Sequence, residues 1–247
     1  MFCYWLFDFG DVMDFKKILT FSFDDGVTQD ERFIEMLNKY GLKCTFNLNS
    51  ELLGKDGYLM INGKKIAHNK VAPNKVKELY KGHEVAAHTL IHPNLTTLSP
   101  QEIIRQVEGD RCNLSNIVEY DVKGFAYPCG GINSNCVVAN LIKNNTSVEY
   151  ARTIVHSYSF SSQNNLFLFN PTLSLTKNKQ QLLDMADDFL NSETENIKLF
   201  YIWGHSYELY IDNSWDYFEE VCKKLSGKND VLYCTNKQAF DYLNNQK

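Results

Sequence analysis

Residues 17–26, KILTFSFDDG, decide how this chain folds. The stretch 18–23 is rich in β-branched and aromatic residues and reads as a buried strand. It stops at Asp24-Asp25-Gly26, where glycine lets the backbone turn. Neighbouring strand side chains point to opposite faces, so Asp24 and Asp25 can share one site only if the chain turns there. Two adjacent carboxylates at the end of an apolar strand repel each other and are poorly solvated, and a nearby cation would remove the repulsion. The plainer reading is an Asp-Gly turn in which one aspartate caps the next helix.

Working outward, 29–40 carries Phe33, Met36 and Leu37 at helical spacing and is stopped by Gly41. A strand follows over 43–48. The polar stretch 49–70, with Gly54, Gly57 and Gly63, reads as an inserted hairpin or lid. Further strands are expected over 84–88, 122–127, 149–155, 197–203 and 231–234. Helices are expected over 74–81, 135–143, 179–190, 215–225 and 237–243. Ser99-Pro100-Gln101-Glu102 has a capping serine, proline at the first position and glutamate at the third, and starts a helix that runs to Val118. The apolar 166–169 reads as a strand or a packed loop.

About seven βα units without a linker imply a parallel sheet, closed or open. No Gly-rich phosphate loop follows an early strand, so an α/β barrel in a single domain over 1–247 is preferred. Residues 1–15 form an N-terminal extension and 49–70 an insertion.

The net charge of −5 is mild and excludes a general phosphate-backbone binder, so no nucleic-acid partner is expected. Seven cysteines, an odd number without a C-x-x-C pair, suit free thiols in a reducing compartment. The aromatic N-terminus lacks a basic start and is interrupted by Asp8, Asp11 and Asp14, unlike an export signal. No apolar run is long enough to span a membrane. The expectation is a soluble, cytoplasmic protein.

Polar residues recur at predicted strand ends: Asp24 and Asp25, His88, Tyr127 and Pro128, and His205. In a barrel these ends form one face, where active sites sit. His88 and His92 are four residues apart and can chelate one ion. With one aspartate they make a His₂Asp set that leaves positions open for water. His205, after Trp203-Gly204, suits a proton donor, although it could equally be a packing histidine bonded to Glu208. The lone histidines His68, His83 and His156 read as surface or satisfied core residues.

Together these residues resemble the polysaccharide deacetylase family (NodB homology, carbohydrate esterase family 4-like), from about Lys17 to about Tyr242. The family's T-F-D-D-G stands here as Ser22-Phe23-Asp24-Asp25-Gly26, and its H-[ST]-x-x-H as His88-Thr89-Leu90-Ile91-His92. The resemblance implies a distorted (β/α)7-type barrel in which Asp25, His88 and His92 bind one divalent metal ion. Zinc is the first choice, with cobalt, nickel or manganese as alternatives. Asp24 would be the general base and His205 the general acid. The family's L-x-H corresponds to Trp203-Gly204-His205, with Trp203 replacing the leucine that lines the acetyl pocket.

The family's R-P-P-Y-G departs, reading Ala126-Tyr127-Pro128-Cys129-Gly130 here. The arginine that orients the base is absent, and the oxyanion-facing N–H belongs to Cys129. Because a backbone donor survives substitution, oxyanion stabilisation is kept. Arg152, near another strand end, is expected to supply the missing charge. The implied activity is metal-dependent removal of N-acetyl, or O-acetyl, groups from an N-acetylated saccharide. The alternatives are an allantoinase-like hydrolase of small cyclic amides or formamides, and a non-catalytic carbohydrate-binding relative.

Overall fold

All eight residues of the first strand, β1 (Lys17–Asp24), are buried, because both of its edges are paired and both of its faces are covered. In the computed structural model the chain is described over residues 15–193, 195–211 and 213–246. Apart from Phe15, the N-terminal extension lies outside the described residues. After β1 come α1 (Asp30–Lys39), β2 (Cys44–Leu48), β3 (Tyr58–Ile61), β4 (Lys64–Ala67), α2 (Pro73–Leu79), β5 (Glu84–Ala87), α3 (Pro100–Val118) and β6 (Gly124–Ala126). The second half holds α4 (Cys136–Asn145), β7 (Tyr150–Arg152), β8 (Leu173–Ser174), α5 (Lys179–Asn191) and β9 (Lys198–Gly204). It finishes with α6 (Glu208–Ile211), α7 (Trp215–Leu225), β10 (Val231–Tyr233) and α8 (Asn236–Asn245).

Seven parallel strands, in the order β7-β6-β5-β2-β1-β9-β8, curve into a distorted (β/α)7 barrel. A parallel bridge between Arg152 and Phe169 spans the seam between β7 and the segment leading into β8. The strand expected at 231–234 is present as β10, but it pairs only with the first residues of β1, below β2, and stands outside the ring. The seventh ring strand is β8, whose two residues carry no legible pattern. Residues 166–169 form a 3-10 turn followed by the bridging Phe169.

Alternation along β1 sorts its two faces. Leu19, Phe21 and Phe23 join the core between sheet and helices, where Phe33 stacks on Phe218 with centroids 4.3 Å apart. Thr20, Ser22 and Asp24 point into the barrel, whose buried polar groups are hydrogen-bonded with few exceptions, Asn47 Oδ1 among them. Thr20 donates to Asn236 at 2.8 Å, and Thr45 and Tyr150 both donate to Glu84, at 2.7 and 2.8 Å. Such a buried network holds only because nearly every member is paired. Gly124 is required beside it, since a Cβ there would come within 2.2 Å of the Tyr150 hydroxyl oxygen.

Within the inserted 49–70 stretch, β3 and β4 form a hairpin that turns at Asn62-Gly63, both residues with positive φ. Its inner residues Leu59, Ile61 and Ile66 pack on Val27 and Tyr207. Among the described residues no helix is long and apolar enough to cross a membrane.

Candidate active site

The turn that lets both aspartates reach one site begins at Asp25 itself, at φ 84°, and continues through Gly26 at φ 58°. Thr89, His92 and Cys129 are also left-handed, at φ 70°, 64° and 70°. Each such residue costs about 1–3 kcal/mol and persists only where its surroundings enforce it. Here they do. Asn47 O accepts from Asp25 N at 2.9 Å, and Lys70 Nζ donates to Asp25 O at 2.7 Å. Asn49 donates to the carbonyls of His88 and Thr89, and the Thr89 hydroxyl accepts from His92 N. The strained turns cluster around one cleft of about 490 Å³ at the C-terminal ends of the strands.

Asp25, His88 and His92 come together, with one potential ligand atom from each lying within 4.8 Å of the others. His88 Nδ1 sits 2.8 Å from Ala126 O, which can only accept, so Nδ1 carries the proton and Nε2 keeps its lone pair. Burial pushes the His88 pKa down to about 4 and also lowers that of His92, so both imidazoles are neutral near neutral pH. Asp25 stays ionised: burial opposes charge, but the His68 hydrogen bond and the Lys70 ammonium outweigh it. One carboxylate and two neutral imidazoles fit a divalent ion of the zinc type.

Asp24 lies behind this group and is 2% exposed. Arg152, 0% exposed, donates through Nη2 to both Asp24 oxygens at 2.5 Å. Its Nε reaches Ser22 Oγ at 3.2 Å, and Asn47 Nδ2 adds a bond to Asp24 Oδ1 at 2.8 Å. Burial raises the pKa of Asp24, yet Arg152, His88 and His205 together hold it below the usual carboxylate value. The geometry thus brings Arg152 from β7 onto the carboxylate on β1.

His205 faces both aspartates, its Nε2 4.0 Å from Asp24 and 3.9 Å from Asp25. Its Nδ1 pairs with Glu208 at 3.1 Å. Burial alone would depress its pKa. The Glu208 hydrogen bond and charge, with the two aspartates, raise it to about 9. The bond to Glu208 is present, and both residues line the cleft.

The remaining predicted residues divide. Trp203 lines the cleft, with Arg152 stacked 4.8 Å from its ring. Tyr127 also lines it, but its hydroxyl turns away to donate to Phe167 O. Pro128 is buried beneath, and Asn133 fixes its carbonyl at 3.0 Å. Cys129 lines the cleft, and its sulfur lies 3.8 Å from His92 Nδ1. His83 is a satisfied core histidine that accepts from Cys44 N, whereas His68 is not a surface residue and reaches Asp25 at 3.1 Å. Sequence reasoning missed His68 and Lys70, and also Lys177 and Tyr207 in the lining. The spacing of Ile66, His68 and Lys70 by two residues, one face of an extended strand, was the available signal.

Fold and site together define an α/β barrel with a metal-competent group at its C-terminal rim. The family model for polysaccharide deacetylase matches residues 13–146, and the chain belongs to that family. It is 24% identical over 180 residues to a bifunctional xylanase/deacetylase of Pseudobutyrivibrio xylanivorans, covering 72% of this chain and 26% of that protein. The chain thus spans about a quarter of that relative's length. Among solved structures, the Xyl-CE4 domain of a multidomain xylanase from the hindgut metagenome of Trinervitermes trinervoides superposes with a TM-score of 0.57. That likeness is at 19% identity and covers 93% of this chain and 92% of the other. A family 4 acetyl xylan esterase from Clostridium thermocellum, in complex with a cobalt ion, gives 0.53 at 15% identity, covering 91% and 90%.

Proposed function

We propose that this protein is a metal-dependent deacetylase that hydrolyses N-acetyl groups on a saccharide. The observation that carries the reading is the meeting, in one cleft, of three groups. These are the Asp25–His88–His92 set, the ionised Asp24–Arg152 pair and the protonated His205–Glu208 pair. A divalent ion held by Asp25, His88 and His92 supplies Lewis acidity toward the acetyl carbonyl and makes water a stronger nucleophile. Zinc suits the donor set best.

Asp24 accepts the proton of the attacking water. Its basicity is modest, because Arg152 holds it ionised. Cys129 lines the cleft, and its backbone N–H would be the donor that stabilises the tetrahedral oxyanion. His205, protonated at neutral pH, hands its proton to the departing nitrogen, which leaves as an amine rather than an amide anion. The products are acetate and a free amino sugar. Membership of the family supports a carbohydrate substrate.

The bulk of Trp203 where the family carries leucine favours a second reading, in which a smaller acyl group such as formyl is accepted. Acetate and formate release measured in parallel on N-acetylated and N-formylated glucosamine oligomers separates the two. Release of neither, under added zinc or cobalt, would sink both.

A further inference from the structure

We propose that His68, carried by the hairpin insertion, is a positioning residue for the metal-ligand carboxylate of Asp25. This rests on the metal-site reading above. A carboxylate on a two-carbon side chain can rotate, and a ligand set is only as good as the orientation of its members. Groups that hydrogen-bond a ligand from behind set that orientation.

His68 meets the requirement on three counts. First, its Nε2 lies 3.1 Å from Asp25 Oδ2. An ionised carboxylate only accepts, so Nε2 carries the proton and donates. The other oxygen, Oδ1, then faces His92 Nε2 at 3.6 Å, with the Lys70 ammonium at 3.3 Å.

Second, the backbone around His68 is fixed from both sides. His68 N donates to Gly57 O at 2.9 Å, and Lys70 N to Lys55 O at 2.9 Å. Thr28 N and Val71 N tie the same segment to the turn after Asp25, through Asn69 O at 2.8 Å and Gly26 O at 2.9 Å. Third, the imidazole packs edge-on against Tyr207 at 5.1 Å, which limits its rotation. The insertion thus supplies two grips on one residue: Lys70 holds the strained backbone of Asp25 and lies beside Oδ1, and His68 holds Oδ2.

The test is calorimetric titration of zinc, and separately cobalt, into the metal-free full chain. Wild type is compared with His68→Phe, which keeps a ring against Tyr207 but no donor, and with His68→Gln, which keeps an N–H at the reach of Nε2. The expected result is that His68→Phe weakens metal affinity about 10–100-fold, while His68→Gln restores most of it. Melting of the metal-free forms is followed in parallel. The inference is overturned if His68→Phe binds as tightly as wild type. It is overturned equally if both variants lose affinity in step with a lower melting temperature. A wild-type chain that takes up no ion would instead remove the metal site on which the inference depends.

Discussion

Replacing Arg152 with methionine is the sharpest perturbation the site offers. Methionine fills similar length without charge and removes the guanidinium that stacks on Trp203, leaving Asp24 buried with its Asn47 hydrogen bond. Breaking one side of a buried charge pair costs about 3–5 kcal/mol. For a chain of this size that corresponds to a fall in melting temperature of roughly 6–20 °C. The cost depends on pH, and its sign follows from Asp24. In the wild type its folded-state pKa lies below the ordinary 3.8, so it adds stability above that value, which is lost as pH falls through the folded pKa. Without Arg152, burial faces weaker opposition and the pKa rises. The stability gap between wild type and Arg152→Met is therefore wide at pH 7 and narrows toward pH 4. Turnover, followed by acetate release, should fall about 100-fold or more at neutral pH, with its acidic limb moved upward. An unchanged pH–rate profile, or a stability gap independent of pH, would refute the assignment of Arg152 as the partner of Asp24.

Four further outcomes follow from the same geometry. The alkaline limb of turnover should fall no higher than about pH 9, where His205 loses its proton, since a bound cation can only lower that value. Glu208→Gln removes the charge that contributes most to raising the His205 pKa, leaving Asp24 and Asp25, and should shift that limb to lower pH in the same assay. Gly124→Ala places a Cβ 2.2 Å from the Tyr150 hydroxyl oxygen and 2.9 Å from Ala86 Cβ. Overpacking together with the loss of the Tyr150–Glu84 bond should cost about 2–6 kcal/mol, read by urea denaturation. Cys129→Ala should retain most turnover, because its backbone N–H remains and its thiol touches only His92. Abolished turnover in a well-folded variant would give the sulfur a role this mechanism lacks.

The barrel was legible wherever the signal was local. Asp24-Asp25-Gly26 announces a strand end by composition, and Ser99 caps α3 through Glu102 N as its spacing suggests. His88 and His92 stand out because few residue types bind metal and four-residue spacing is compact. Arg152 could be nominated because strand ends of a barrel share one rim. What stayed hidden is what only tertiary packing decides. Strand β8 is two residues long and is held by its neighbours, not by its own sequence. The hairpin is recognisable from its glycines, but nothing local says that it folds back so that His68 and Lys70 reach Asp25. The left-handed φ values at Thr89, His92 and Cys129 are likewise imposed by surrounding hydrogen bonds, since none of these residues favours that conformation.

In the proposed reaction, hydrolysis of an acetamide on a sugar needs one divalent ion held by Asp25, His88 and His92. Metal content per chain, measured together with acetate release from N-acetylglucosamine oligomers, tests it most directly. The expected result is one ion per wild-type chain, loss of acetate release on chelation and its return on adding zinc or cobalt. Asp25→Ala and His88→Ala should be without both ion and activity. Acetate release that persists undiminished in a chelated or ligand-substituted protein would contradict it.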